Sequence, residues 1–144
     1  MILVNLKTEK MKKVIFLLLA ILCISTGYAE PTFYHADSFA YKYIDEHSGR
    51  WNEWSRWQSS EILISIDIEK EVIEIYTEME QKYNILKWNG RYKDNKGGEQ
   101  SEFVVVDQDG DKGIIRIRIQ WDDVKQLYVE YDNVMWVYSG LEER

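Results

Sequence analysis

Between residues 62 and 68 the chain reads Ile-Leu-Ile-Ser-Ile-Asp-Ile, and this run constrains the fold more than any other stretch. Successive side chains of a strand point to opposite faces. Ile62, Ile64, Ile66 and Ile68 therefore form one apolar wall, with Leu63, Ser65 and Asp67 behind it. Two-residue alternation, not helical periodicity, governs the run. Such a wall needs further strands to bury it.

The same alternation recurs along the chain. Residues 38–45 set Phe39, Tyr41 and Tyr43 on a face predicted to pack inward, against Ala40, Lys42 and Ile44. Residues 72–77 oppose Ile73 and Ile75 to Glu74 and Tyr76, and residues 81–88 turn Tyr83 and Ile85 away from Leu86 and Trp88. Residues 103–106 pair with 114–121, where Ile115, Ile117, Ile119 and Trp121 share a face and Arg116 and Arg118 project from the other. Residues 126–131 align Leu127, Val129 and Tyr131, and residues 134–139 set Val134, Trp136 and Tyr138 against Met135 and Val137. Between these runs lie turn signals, at Glu69-Lys70-Glu71, Asp122-Asp123 and Asp132-Asn133. Asn89-Gly90 is the strongest of them, because both residues accept the positive φ angles of a type I′ hairpin turn. Residues 30–35 read as a lead-in and 140–144 as a polar tail. The spacing predicts an all-β domain over residues 30–144, an antiparallel meander of about eight short strands. It closes into a small barrel or folds into a two-layer sandwich.

The first 29 residues follow a different logic. Lys12 and Lys13 precede an unbroken apolar run of 11 residues, 14–24, and Gly27 and Ala29 supply the small residues of a cleavage site. This is the pattern of a signal peptide cut after Ala29, with Met11 as the natural start. The run falls short of the roughly 20 residues that span a bilayer. Lipid anchoring at Cys23 is not expected, because bulky Leu22 stands where a lipoprotein has a small residue. Cleavage removes the only cysteine, so no disulfide, thiolate metal site or cysteine nucleophile is expected in the exported domain. Residues 1–29 also hold four of the 18 basic and one of the 25 acidic residues, leaving 14 against 24 and a net charge of −10. Such a surface repels phosphate backbones, so nucleic acid is excluded as a partner.

Three tryptophans spaced three apart, Trp51, Trp54 and Trp57, are the candidate binding residues. In a regular strand Trp54 would face away from the other two. In a conformation with three residues per turn all three would share a side and form a stacking platform. The bland alternative is that they seal the core, since each aromatic buries roughly 150–250 Å². The loop Asp107-x-Asp109-x-Asp111 places carboxylates at alternate positions, as a weak cation site would require. It departs from the EF-hand pattern at Lys112, where glycine is needed, and at Arg118, where a bidentate glutamate is needed. His35 and His47 lie in expected loops with no motif around them, and no nucleophile elbow or phosphate-binding glycine loop is present. No catalytic residue and no cofactor is nominated.

The run Trp51-Asn52-Glu53-Trp54-Ser55-Arg56-Trp57 resembles the tryptophan run of thrombospondin type 1 repeats, in which arginines interleave with the indoles. That family relies on paired cysteines, which residues 30–144 lack. What carries over is an expected stack of Trp54 or Trp57 on Arg116 or Arg118. The pattern Trp51-x-x-Trp54-x-x-Trp57, Ile62-Leu63-Ile64, Ile75-Tyr76-Thr77, Gln81-x-Tyr83, Asp107-x-Asp109-Gly110, Gln126-Leu127-Tyr128-Val129 and Met135-Trp136-Val137-Tyr138 is similar to that of small signal-bearing proteins common in gut Bacteroidales genomes. That uncharacterised family implies a Gram-negative envelope context and supplies no site residues. The expectation is an exported, non-catalytic binding module for a ligand, glycan or protein partner, in the periplasm or outside the cell. The alternative is a structural or assembly component of the envelope.

Overall fold

The structure, a computed structural model, describes residues 30–144; the expected signal segment and its helix lie outside the described residues. The isoleucine run sits in β2 (Gln58–Asp67), which follows β1 (Thr32–Tyr43). Then come β3 (Val72–Tyr76), β4 (Gln81–Lys93), β5 (Glu99–Val106), β6 (Lys112–Ile119), β7 (Lys125–Glu130), β8 (Val134–Ser139) and a short β9 (Glu142–Glu143). Each strand from β2 to β8 pairs antiparallel with the next, and β1 pairs with both β2 and β8. The result is a closed eight-stranded barrel with one extra strand, β9, on β1. Closure removes the open edges that a two-layer sandwich would leave. Among the described residues no helix is long and apolar enough to cross a membrane.

The interior is filled by alternate residues of successive strands. Ile64, Ile73, Ile75, Val105, Ile115, Leu127 and Val129 are fully buried, with Ile66, Tyr83, Phe103 and Tyr138 beside them. One end of this core is polar. The Tyr83 hydroxyl donates to Gln81 Oε1 (2.7 Å), and Gln81 Nε2 donates to the Tyr138 hydroxyl (3.1 Å). Tyr131 stacks on Trp136 at 5.8 Å and donates to Asp107 Oδ2 at 2.7 Å. Burial drives the Tyr83 and Tyr131 phenols well above their ordinary range, so both stay neutral donors. Burial raises the Tyr138 pKa, and the Gln81 side chain and the Trp136 indole oppose that rise, although among the described residues the buried indole N–H has no hydrogen-bond partner of good geometry.

Several local expectations are corrected. Asn89-Gly90 does not turn the chain: β4 runs on to Lys93, and the turn falls at residues 94–98. The positive φ of Gly90 (108°) serves a bulge at Asn89 instead, whose side-chain amide donates to Glu102 Oε2 (2.9 Å). A bulge and a hairpin turn both need such a residue, so the dipeptide alone does not distinguish them. The lead-in is part of β1, which places His35 in a strand opposite Leu63. In the tail Leu141 is buried, and Glu142 and Glu143 pair with His35 and Tyr34. Ile68, the last of the isoleucines, has left the wall and is 57% exposed. Tyr41 and Tyr43 are not inward anchors, being 42% and 52% exposed. They lie where β1 has run past the last residue of β2 that it pairs with, Gln58.

Removing three methylenes' worth of core from a site that cannot collapse is costly in a closed barrel. Ile64→Ala and Ile73→Ala are each expected to lower the unfolding free energy by about 2–5 kcal/mol, whereas Ile68→Ala should stay within about 0.5 kcal/mol; urea unfolding of the three variants checks this.

Candidate functional site

The tryptophan segment leaves β1 through a turn in which Asp45 Oδ1 accepts the amides of His47 and Ser48 (2.8 and 3.1 Å), and Gly49 takes a φ of 68°. The chain then returns alongside β1, but not as a regular strand. Trp51 bridges Ile44. The Asn52 amide donates to the Tyr43 carbonyl (2.9 Å), while Asn52 Oδ1 accepts the Tyr43 amide (2.7 Å). Three residues later Ser55 repeats the device on Tyr41: its amide donates to the carbonyl (2.8 Å) and its hydroxyl accepts the amide (2.9 Å). Regular pairing resumes at Phe39 with Gln58.

Three residues of the segment thus match two of β1, and a side chain replaces the missing carbonyl at each slip. That mismatch explains the spacing of the tryptophans. Positions two apart on a strand share a face, so a period of three on this segment meets a period of two on β1. Trp51 falls beside Ile44, Trp54 beside Lys42, and Trp57 one step beyond the Gln58–Phe39 pair, beside Ala40. All three stand over the outer wall of the barrel.

Lys42 Nζ lies between two of them, 5.4 Å from the Trp51 ring centre and 4.8 Å from that of Trp54. Trp54 also meets Tyr128 edge-on at 6.1 Å. Tyr128 belongs to β7, two strands from β1, so the indole lies across β8. This is why β8 is buried on both faces: Val137 (1% exposed) pairs with Ala40 on one side and Tyr128 on the other. The expected arginine–indole stack is replaced. Lys42 is the cation over the indoles, and Arg116 and Arg118 are held by carboxylates instead.

Three cross-strand rows organise this outer wall. In one, Glu102, Arg116, Tyr128, Val137 and Ala40 follow one another from β5 to β1. Arg116 pairs with Glu130 and, at 3.6 Å, with Glu102. In the second, Gln100, Arg118, Gln126, Ser139 and Ser38 are neighbours. Arg118 Nε donates to Asp94 Oδ2 at 2.7 Å, and Asp94 also accepts the Gln100 side-chain amide and the Gly98 and Lys96 backbone amides. The Arg118 guanidinium and these hydrogen bonds hold the Asp94 carboxyl far below the usual carboxylate range. In the third row Val104, Ile114, Glu130, Met135 and Lys42 succeed one another. An open cleft of about 420 Å³ lies over the first three residues of this row, walled by Trp51 and lined by Val104, Ile114, Glu130, Tyr131 and Asp132, with Lys112 at its rim.

Of the predicted residues, Trp51 lines the cleft, Trp54 covers the wall beside it and Trp57 is 54% exposed further along. Spacing alone did not reveal that Lys42, Ile114 and Glu130 belong with them, because their proximity is created by cross-strand register. Asp107, Asp109 and Asp111 stay in the β5–β6 turn. Asp107 Oδ1 accepts the backbone amides of Asp109 and Asp111 (2.9 Å each), and its other oxygen holds Tyr131. These bonds, the Tyr131 hydroxyl first, draw the Asp107 carboxyl below its ordinary pKa. Among the described residues no three acidic, histidine or cysteine side chains converge as a metal-binding group. Comparison with protein-family models, curated proteins and solved structures finds no match.

Two outcomes follow from this geometry. Asn52→Ala with Ser55→Ala removes the two substitute acceptors and is expected to lower stability by about 1–3 kcal/mol, with a change in the Trp51 and Trp54 indole signals in heteronuclear NMR. Asp94 has a folded pKa below its unfolded value, so its contribution is complete above about pH 4–5 and is lost as the pH falls through the folded value. The stability gap between the wild type and Asp94→Asn should therefore be flat at neutral pH and narrow in acid, as measured by urea unfolding across a pH series.

Proposed function

We propose that the chain is an exported, non-catalytic binding module that holds its ligand on the outer wall of the barrel, along the tryptophan segment. The observation that carries this reading is a division of labour among the aromatics. Tyr83, Tyr131, Trp136 and Tyr138 fill the barrel interior, whereas Trp51, Trp54 and Trp57 are gathered on one outer face beside a cleft. Core side chains pack the barrel interior, whereas the cleft that Trp51 lines opens on the outer wall, and this favours contact from outside. Absence of catalysis is supported by the setting of the reactive groups. His47 lies in an exposed turn, His35 sits in β1 paired with Leu63 of β2, and Arg116 and Arg118 are both held by carboxylates. Export is supported by the signal pattern of residues 12–29 and by a domain whose packing needs no cysteine.

The second reading, an envelope assembly component, is favoured by one observation. β3 pairs with β4 only as far as Asn84, with one further hydrogen bond from the Ile85 amide to the Glu71 carbonyl (2.8 Å). Beyond it β4 pairs on its β5 side, and Leu86 (52% exposed) and Trp88 (59%) lie on that overhang. A strand edge with exposed apolar residues is a place where a partner strand can add.

The test is expression of the full chain in a Gram-negative host, followed by amino-terminal sequencing and an envelope pull-down. The expected product begins at Glu30 in the periplasm or medium, and Trp57→Ala weakens capture of the ligand while Trp88→Ala does not. Capture that depends on Trp88 and not on Trp57 would replace the binding-module reading with the assembly one.

A further inference from the structure

We propose that the cleft beside Trp51 is a saccharide subsite, a refinement that rests on the binding-module reading above. The chemistry of its surfaces selects the ligand. The floor is Val104 and Ile114, cross-strand partners on β5 and β6 that face outward and are only half-buried. An indole stands at the wall with Lys42 at 5.4 Å from its ring centre. Lys42 lies over the ring without lining the cleft itself. An apolar floor meeting an aromatic wall accepts the C–H face of a pyranose ring, which is apolar while its rim is not.

The polar groups at the margin fit the same ligand. Lys112 and Asp132 are exposed and take no part in an ion pair among the described residues. One supplies hydrogen-bond donors and the other acceptors, as ring hydroxyls require. Their charges are opposite, so the rim exerts no net pull on an anion or a cation and favours an uncharged polyhydroxylated ligand. Glu130 is already held by Arg116, and the Tyr131 hydroxyl is committed to Asp107, so these two shape the cleft and are not free to bind. The cleft is open and lies over Val104, Ile114 and Glu130 on β5, β6 and β7, three strands that span about 10 Å at the usual strand spacing of ~4.8 Å, with Trp51 extending its wall. That shape takes a stretch of oligosaccharide and not an enclosed monosaccharide. A lipid tail would demand an apolar rim, and a nucleotide would meet a surface of net charge −10.

The experiment titrates isotope-labelled residues 30–144, which carry the whole closed barrel, with tetrasaccharides of N-acetylglucosamine, glucose and xylose. Backbone and indole NMR shifts are followed. At least one series should move the Trp51 indole and the Lys112, Gly113 and Ile114 amides while leaving the buried Trp136 indole unmoved. Trp51→Ala should weaken that saccharide by about tenfold or more. Val104→Glu, at an outward position that does not touch the tryptophan segment's hydrogen bonds, should do the same with the Trp136 signal unchanged. Shifts confined to the Trp54 or Trp57 indoles would overturn the cleft assignment and leave the binding-module reading standing, whereas shifts confined to the Trp88 or Trp121 indoles would overturn both. Silence from all three saccharides, with a protein from envelope extract captured by the wild type and lost in Val104→Glu, would make the cleft a protein interface. Silence from the saccharides with no ligand captured at all would remove the binding-module reading as well.

Discussion

β1 carries the closure of the barrel, and the rest of the structure depends on how it does so. Its first half hydrogen-bonds to β2 and its second half to β8, with a bulge between Ala36 and Ser38. Between those pairs β1 has one residue, Asp37, where β2 has two, Ser60 and Glu61, and the alternation of β1 shifts by one there, so that Tyr34 and Ala36 before it and Phe39 after it all face the core. A bulge of this kind bends a strand and increases its twist, which a strand needs if it is to begin and end the same cylinder. The site is tightly built: Gly140 takes a φ of 67°, which side-chain-bearing residues rarely adopt, and lies directly against the exposed Asp37 carboxylate, which would have to move to admit a β-carbon. Beyond Gly140 the chain buries Leu141 and adds β9 to β1. The amino- and carboxy-terminal strands of the domain are thereby locked together.

The second half of β1 has another consequence. Because β2 pairs with β1 only as far as Gln58, the backbone of Tyr41 and Tyr43 must find other partners, and residues 51–57 provide them. They do so with a three-for-two register in which Asn52 and Ser55 side chains stand in for carbonyls. Cross-strand neighbours ordinarily interact because both strands advance by two; here the indoles keep pace with β1 only by advancing by three. The outcome is a layered stack of Trp51, Lys42 and Trp54 on the outer wall. It seals Ala40, Met135 and Val137 from water and brings Trp51 to the edge of a cleft. One device thus completes the hydrogen bonding at the rim and builds the proposed contact surface.

The outer wall combines this stack with closed ion pairs. Arg116 and Arg118 each lie between strands, and Asp94 reaches back from the β4–β5 turn to hold Arg118. Gly98 makes room for that arrangement, since a β-carbon there would sit 2.7 Å from Arg118 Nε and 2.8 Å from Asp94 Oδ2. These half-buried pairs help to set register and rigidity on the wall, while Lys112 and Asp132, at the rim of the proposed contact surface, take part in no ion pair among the described residues. Rigid walls with few free polar groups are what an open binding surface needs if it is not to lose its affinity to ordering.

Alternation in the sequence was enough to establish the all-β class, the approximate strand set and most of the core, because apolar residues at a period of two have only one way to be buried together. Ile64, Ile73, Ile75, Ile115, Leu127 and Val129 were legible for that reason. Residues whose role depends on long-range pairing were not. The use of Gly90 in a bulge, the exposure of Tyr41 and Tyr43, and the choice of a closed barrel over a sandwich follow from which strand β1 meets along each half. Likewise, the tryptophan spacing marked a segment of interest, yet whether its indoles would share a face was decided by the period of the strand beside it. Lys42, Val104 and Ile114 join Trp51 at one surface only because register and closure bring distant positions together, and no local pattern encodes a register.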